Sequence, residues 1–436
     1  MNANPPSVSP TTIDSKRLTV SQGAALYVAA VLGTGVIALP SLAAAVAGPA
    51  SLLAWLALVA LSVPLATTFA ALGARYPDAG GVSTYVRLAF GRRAAGVVGW
   101  CFFFAVPAGA PAAAMFAGSY MASAYGGAYT ATATACALIA VVTLVNAFGV
   151  SVSGRVQLIL TGLLVALLVV AVAASAPHAR VANLHPFAPH GWSAVPRAAA
   201  LLIWSFAGWE AITHLAGEFR RPQRDMPRAA GIAVAVVGLL YLGVASATIL
   251  VLGAAAETDP APLATLLVIG VGGHASAIAA VAAVLLTFGT MNAYFAGASK
   301  LGAALGRDGA LPVWLARGSN AGDVPRRSLG LLAVMAMGMF VVADRSGIGT
   351  KPLVLLTTGS FTLVYLLGTA AALRLLEPGT KARASAWIAL IADGALLAAT
   401  GWYLLWPCVI GGGALLYQRF QDSEFCGLKG TKRPKW

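Results

Sequence analysis

Charge is what this sequence has least of. Of 436 residues, 10% are Asp, Glu, Lys or Arg against 59% hydrophobic, and the mean hydropathy is +0.82. Soluble globular chains carry about 25% charged residues, so a water-facing surface is excluded and a polytopic membrane protein is implied. Cysteine is also scarce. Cys101, Cys136, Cys408 and Cys426 are scattered, three of them in apolar segments, and form neither a disulfide framework nor a metal-ligand spacing. His178, His185 and His190 share one polar stretch but lack a recognised ligand spacing, so no metal site and no cofactor are expected. There is no cluster of nucleophile, base and metal ligands for an intramembrane enzyme. No polar stretch is long enough for the signalling domain of a solute sensor. Enzyme and sensor are therefore the remote alternatives.

What the sequence does have is apolar runs of about 20 residues, the length that spans a bilayer. They lie near 20–47, 51–74, 94–124, 129–147, 152–175 and 195–216, then near 228–253, 273–304, 328–344, 352–376, 384–401 and 403–420. The expected fold is therefore an all-α polytopic membrane protein of twelve transmembrane helices. Residues 1–18 are rich in Pro and Ser, lack the apolar centre of a cleavable signal, and read as a disordered cytoplasmic arm. Helices 1–5 fall in 19–194 and helices 6–10 in 195–378, with two more helices in 379–421 and a basic cytoplasmic tail in 422–436. Five is odd, so the second group enters from the opposite side, which makes the pair an inverted repeat.

The net charge of +14 has a topological explanation. With both termini inside, every Lys and Arg falls on the cytoplasmic side except Arg180, Arg197, Arg345 and Lys351. That is the positive-inside bias. It reports orientation in a plasma (inner) membrane and contact with anionic lipid, and it gives no reason to invoke nucleic acid.

Two glycine-centred breaks interrupt the first and sixth segments. One is Gly33-Thr34-Gly35 and the other is Ser205-Phe206-Ala207-Gly208. An unwound backbone inside a bilayer is tolerated only where it faces protein or a polar cavity, and paired breaks in two halves of a chain point to a solute site. Unwinding at the first break frees the N–H groups of Thr34, Gly35 and Val36 at a helix N-terminus, which suits a carboxylate. Close packing through small residues is the competing reading. At the second break the freed carbonyls suit an ammonium, and Trp204 and Phe206 offer covers for an apolar pocket, or else are ordinary core or lipid-facing aromatics. Glu210, His214 and Glu218 follow at four-residue spacing on one helix face. Glu210 and His214 are the candidates for proton coupling; alternatively Glu210 holds loose backbone groups of the break.

Asn292 and Tyr294 in segment eight are further candidates for the same cavity. Thr357, Thr358 and Ser360 in segment ten are weaker ones, since hydroxyls often bond their own helix. Asp393 in segment eleven has no evident partner.

In this order and spacing, GTGVIALP, RYPDAGGVSTYV, FAGWE and GEFRRPQRDMPRA resemble the amino acid–polyamine–organocation (APC) superfamily. The likeness runs from about residue 18 to 420. LGTGVIALPSLAAAVAG with VPAGAPAAAMFAG looks most like its bacterial exporters of methionine and branched-chain amino acids. The resemblance implies the five-plus-five inverted repeat, a central site and alternating access. It also implies that Gly33, Thr34 and Gly35 form the carboxylate loop and that Trp204 caps substrate. Glu210 matches the glutamate after the second break, and Tyr294 falls near an aromatic gate. Many relatives carry a coupling lysine in segment five, where this chain has Leu164. The expected function is thus secondary active transport of neutral apolar amino acids (methionine, leucine, isoleucine, valine), as export coupled to protons. The alternative is an importer or exchanger of amino acids or amines with the same fold.

Overall fold

The computed structural model describes residues 18–77, 81–127, 129–149, 154–210, 213, 216, 219–318 and 323–429. The proposed N-terminal arm up to residue 17, His214, Glu218 and the end of the basic tail lie outside the described residues. Among those described, the regular structure is helical, apart from one isolated bridge between Leu18 and Phe219. Nine helical runs in this set are long and apolar enough to cross a membrane, and three shorter apolar helices accompany them.

The first segment is two helices, α1 (Val20–Val31) and α2 (Gly35–Ala47). A reciprocal capping box starts α1: Gln22 N–H donates to Thr19 Oγ1, and Thr19 N–H donates to Gln22 Oε1. Gly48, with φ +58, and Pro49 then turn the chain into α3 (Ser51–Arg75). An amphipathic α4 (Val82–Phe90) lies between glycines of positive φ, Gly81 and Gly91, and leads into the long α5 (Arg92–Tyr125). Next come α6 (Thr130–Ala147) and α7 (Gly154–Ser175).

The second group opens with the short α8 (Ala194–Phe206). It continues through α9 (Pro222–Ala247), α10 (Pro262–Val271), α11 (Ala275–Arg307), α12 (Arg326–Ser346) and α13 (Lys351–Leu375). The last helices are α14 (Lys381–Ala399) and α15 (Leu405–Lys429). Proline opens α9 and α10 at their first positions, where a missing N–H costs nothing.

The core is built around α5, which packs against α4, α6, α11, α12, α13 and α15. Around the broken segments, α2 lies on α8, α3 on α8 and α9, and α1 on α9. Small residues permit the close approaches, as bilayer helices require. A Cβ on Gly118 would overlap the carbonyl oxygen of Ala131, so α5 and α6 meet backbone to backbone at that point. Asn146 of α6 donates to Asn292 Oδ1 of α11 at 2.8 Å, a buried polar tie between helices.

Candidate functional site

The first interruption is narrower than its glycines suggest. α1 ends at Val31, Leu32 leaves the helix with ψ 76°, and Gly35 is already the first residue of α2. Thr34 occupies the N-cap position but its side chain makes no capping bond, so the first N–H groups of α2, from Gly35 and Val36 onward, are not occupied by it. At the second interruption Ser205 and Phe206 are still helical. The break begins at Ala207, which is extended, and at Gly208, with φ +126. Glycine alone adopts that dihedral without strain.

The two breaks meet. A Cβ on Gly35 would overlap Ser205 Oγ and lie 2.7 Å from Trp204 Cδ1. A Cβ on Gly208 would lie 2.7 Å from the carbonyl oxygen of Ala30 in the last turn of α1. Trp204 is partly buried, extends to Gly109 of α5, and stacks edge-on against Phe116 with centroids 6.2 Å apart. Gly33 retains partial exposure, and a Cβ there would meet nothing nearer than Thr290 Cγ2 at 3.9 Å. The Trp204 indole thus packs directly against Gly35 of the first break.

Phe206 is placed differently. It is 3% exposed and forms an aromatic triad with Trp55 and Tyr241, with centroids 5.9 and 5.1 Å from it. It packs the core and does not sit over the space beside Trp204. Ala207 is buried against Ala105 and Phe361.

Glu210 is 6% exposed and occupies a turn. Its Oε2 accepts from Gly208 N–H at 3.1 Å and from the Tyr365 hydroxyl at 2.5 Å. Gly208 N–H also donates to Tyr365 Oη at 2.9 Å. The acid therefore holds the unwound backbone, as one reading of the sequence anticipates, while remaining the deep ionisable group at the break. No helix face shared with His214 and Glu218 can be assessed, since both fall outside the described residues.

Tyr241 and Tyr365 were not singled out by sequence, because each is one more aromatic in an apolar run. Tyr241 of α9 lies 2.9 Å from the Val31 carbonyl and 2.7 Å from the Ser205 carbonyl, so one hydroxyl sits between acceptors from both breaks. The usable signal was the phenol itself: a tyrosine buried at depth has an O–H that demands a partner.

The other candidates divide. Asn292 accepts a hydrogen bond from Asn146 of α6. Tyr294 is 39% exposed and flanks Phe361 at 6.4 Å between centroids. Thr357, Thr358 and Ser360 donate back to carbonyls of their own helix. Leu164 is buried and lines a crevice of about 620 Å³ bounded by apolar residues of α7, α10 and α11. In the polar loop, His190 Nε2 lies 3.3 Å from both carboxylate oxygens of Glu257.

With this geometry in place, comparison with known proteins is decisive. The family model described as Amino acid permease matches residues 18–427.

This chain belongs to the amino acid permease family.

The permease is 34% identical over 416 residues to the uncharacterized amino acid permease YecA of Bacillus subtilis, covering 94% of this chain and 97% of the relative. It is 33% identical over 423 residues to the L-methionine/branched-chain amino acid exporter YjeH of Escherichia coli, covering 92% and 96%. A third relative, the uncharacterized transporter Rv1999c of Mycobacterium tuberculosis, is 30% identical over 384 residues, covering 86% and 84%. The APC resemblance read from the motifs therefore holds, and the permease is a multi-pass membrane transporter of amino acids.

Proposed function

We propose that the permease exports neutral apolar amino acids (methionine, leucine, isoleucine and valine) across the inner membrane by alternating access, coupled to protons. The observation that carries this reading is the meeting of the two breaks beside Trp204. The uncapped N-terminus of α2 offers N–H donors and a partial positive charge to the substrate carboxylate. The carbonyl end of α8 offers acceptors to the ammonium. Trp204, Gly33 and Tyr294 border the space left for the side chain. Glu210 is already bonded to Gly208 and Tyr365, so among the described residues no unengaged acid stands at the breaks for a cationic side chain, which favours a neutral one. Glu210 remains the group that would exchange a proton. The substrate class agrees with what the Escherichia coli relative exports.

The helix pairings support the twelve-span, five-plus-five inverted arrangement. α2 lies on α8, α3 on α9, α5 on α11 and α6 on α12, so the first four spans of one half each touch the corresponding span of the other. The charge distribution supports cytoplasmic termini.

The test is flux of labelled methionine and leucine in proteoliposomes, with and without a pH gradient, for the wild type and Trp204→Ala. Gradient-driven flux of both amino acids, abolished by Trp204→Ala, is expected. Flux of a cationic amino acid alone, or flux indifferent to Trp204→Ala, would overturn the reading.

A further inference from the structure

A second acid lies within the membrane part of the fold, and the transport reading does not use it. Asp393 of α14 is 1% exposed. Its one hydrogen-bonding neighbour given by the geometry is Thr369 of α13, whose Oγ1 is 3.3 Å from Asp393 Oδ2. That hydroxyl has a single proton and nearer acceptors in its own helix, the carbonyls of Tyr365 at 2.8 Å and Leu366 at 3.2 Å. With the Thr369 proton on its own helix, a lone pair of Oγ1 faces Asp393. A neutral carboxylic acid satisfies that arrangement by donating to it. A carboxylate would stand in apolar surroundings with at most a shared proton, at high cost.

Among the described residues, those that line the cavity with Asp393 carry no counter-charge. The elements packed against α14 are α13, α3, α8 and the 3-10 turn Gly401–Leu404. Around a small cavity that Asp393 borders, α3 supplies leucines and α8 supplies Ile203 and Phe206. α13 presents Thr362 and Tyr365, and Tyr365 is the titratable group of the set. These residues enclose a cavity of about 10 Å³, room for roughly one water. Asp393 and Tyr365 both border it, and the Tyr365 hydroxyl bonds Glu210.

We propose that Asp393 is a second proton-binding site of the permease, linked through Tyr365 to Glu210 at the second break. In the exchange the Asp393 carboxyl gives up its proton across the cavity, Tyr365 Oη receives one, and the phenolic proton of Tyr365 passes to Glu210 Oε2. Asp393 becomes the carboxylate, Glu210 the neutral acid, and Tyr365 is unchanged, so charge is conserved. α14 thereby joins the coupling machinery although it lies outside the ten helices that hold the substrate. The proposal rests on the transport reading above for its purpose, while proton binding at Asp393 stands on geometry alone.

The experiment has two readouts. Infrared difference spectra of detergent-purified, full-length protein at neutral pH should show the carbonyl band of a protonated carboxylic acid that Asp393→Asn lacks. Thr369→Val keeps the acid and should shift that band by removing its hydrogen-bond partner, which preserves the assignment if Asp393→Asn folds poorly. In proteoliposomes, Asp393→Asn should keep its thermal shift with methionine but lose the added flux that a pH gradient drives. A band that survives in Asp393→Asn and is unmoved in Thr369→Val overturns the proposal, as does an unchanged gradient response in Asp393→Asn. Wild-type protein that moves no neutral amino acid would instead defeat the transport reading, and the infrared result would still decide whether Asp393 holds a proton.

Discussion

Three glycines at the breaks do three different jobs, and substitution should rank them. Gly208 combines φ +126 with an approach to the Ala30 carbonyl, an obstacle that no rotamer change relieves. Gly35 abuts the side chains of Ser205 and Trp204, which can shift in part. Gly33 has open space. Alanine should therefore destabilise most at Gly208, then at Gly35 by about 1–3 kcal/mol as in overpacked cores, and least at Gly33. Thermal melts of the purified variants check the order, and a Gly33→Ala protein that melts lowest would refute it. Flux adds a second contrast. Gly35→Ala should impair methionine transport, because the added methyl group pushes on Trp204. The residue scale also shows what a glycine in a sequence conceals. Gly33 and Gly35 stand two apart and read as equivalent, yet only the neighbouring helix decides which one is needed for closeness.

At the scale of elements, side chains that tie helices together account for the residues the sequence misassigned or passed over. Asn292 reads as a polar atom in segment eight and therefore as a cavity liner, but its partner is Asn146 on α6. Asn146→Ala and Asn292→Ala should each lower stability, and the double variant should fall short of additivity by about 0.6 kcal/mol, the usual worth of an interhelical hydrogen bond in a bilayer. Methionine binding should persist in all three. Loss of binding in Asn292→Ala with stability intact would return that residue to the site. Tyr241→Phe should cost about 1–3 kcal/mol, because it takes the phenol donor from the buried Ser205 carbonyl, while the Val31 carbonyl keeps the Gly33 N–H, and melting against the Phe variant measures it. The all-helical class and the many apolar helices were legible because hydropathy acts locally. The pairing of Gly35 with Trp204, the Glu210–Tyr365 bond and the Asp393–Thr369 approach were not. Each joins segments more than 20 residues apart, and tertiary packing alone brings them together. Phe206 illustrates the same limit, since two residues from Trp204 it looks like a second cover, whereas a turn of about 200° around α8 places it against Trp55 and Tyr241.

At the scale of the whole molecule, orientation follows from charge and can be checked from outside. Trp192 and Trp314 are both exposed, in loops predicted to lie on opposite sides of the membrane. Trp192→Cys should react with an impermeant thiol reagent in intact cells, and Trp314→Cys only after permeabilisation. The reverse pattern would invert the topology. The surface pair Arg75–Glu377, 2.6 Å apart, joins the ends of α3 and α13. Being exposed, it should contribute little and fade with salt, so this pair does not hold the bundle shut. What holds its centre is the phenol of Tyr241, reaching the Val31 carbonyl on one side and the Ser205 carbonyl on the other. One hydrogen cannot serve two acceptors fully. If α1 and α8 slide past α9, the hydroxyl can release one carbonyl while keeping the other, so the sum of its bonds barely changes. The contact between the two halves then behaves less like a lock than like a bearing, resisting separation while offering little resistance to rotation.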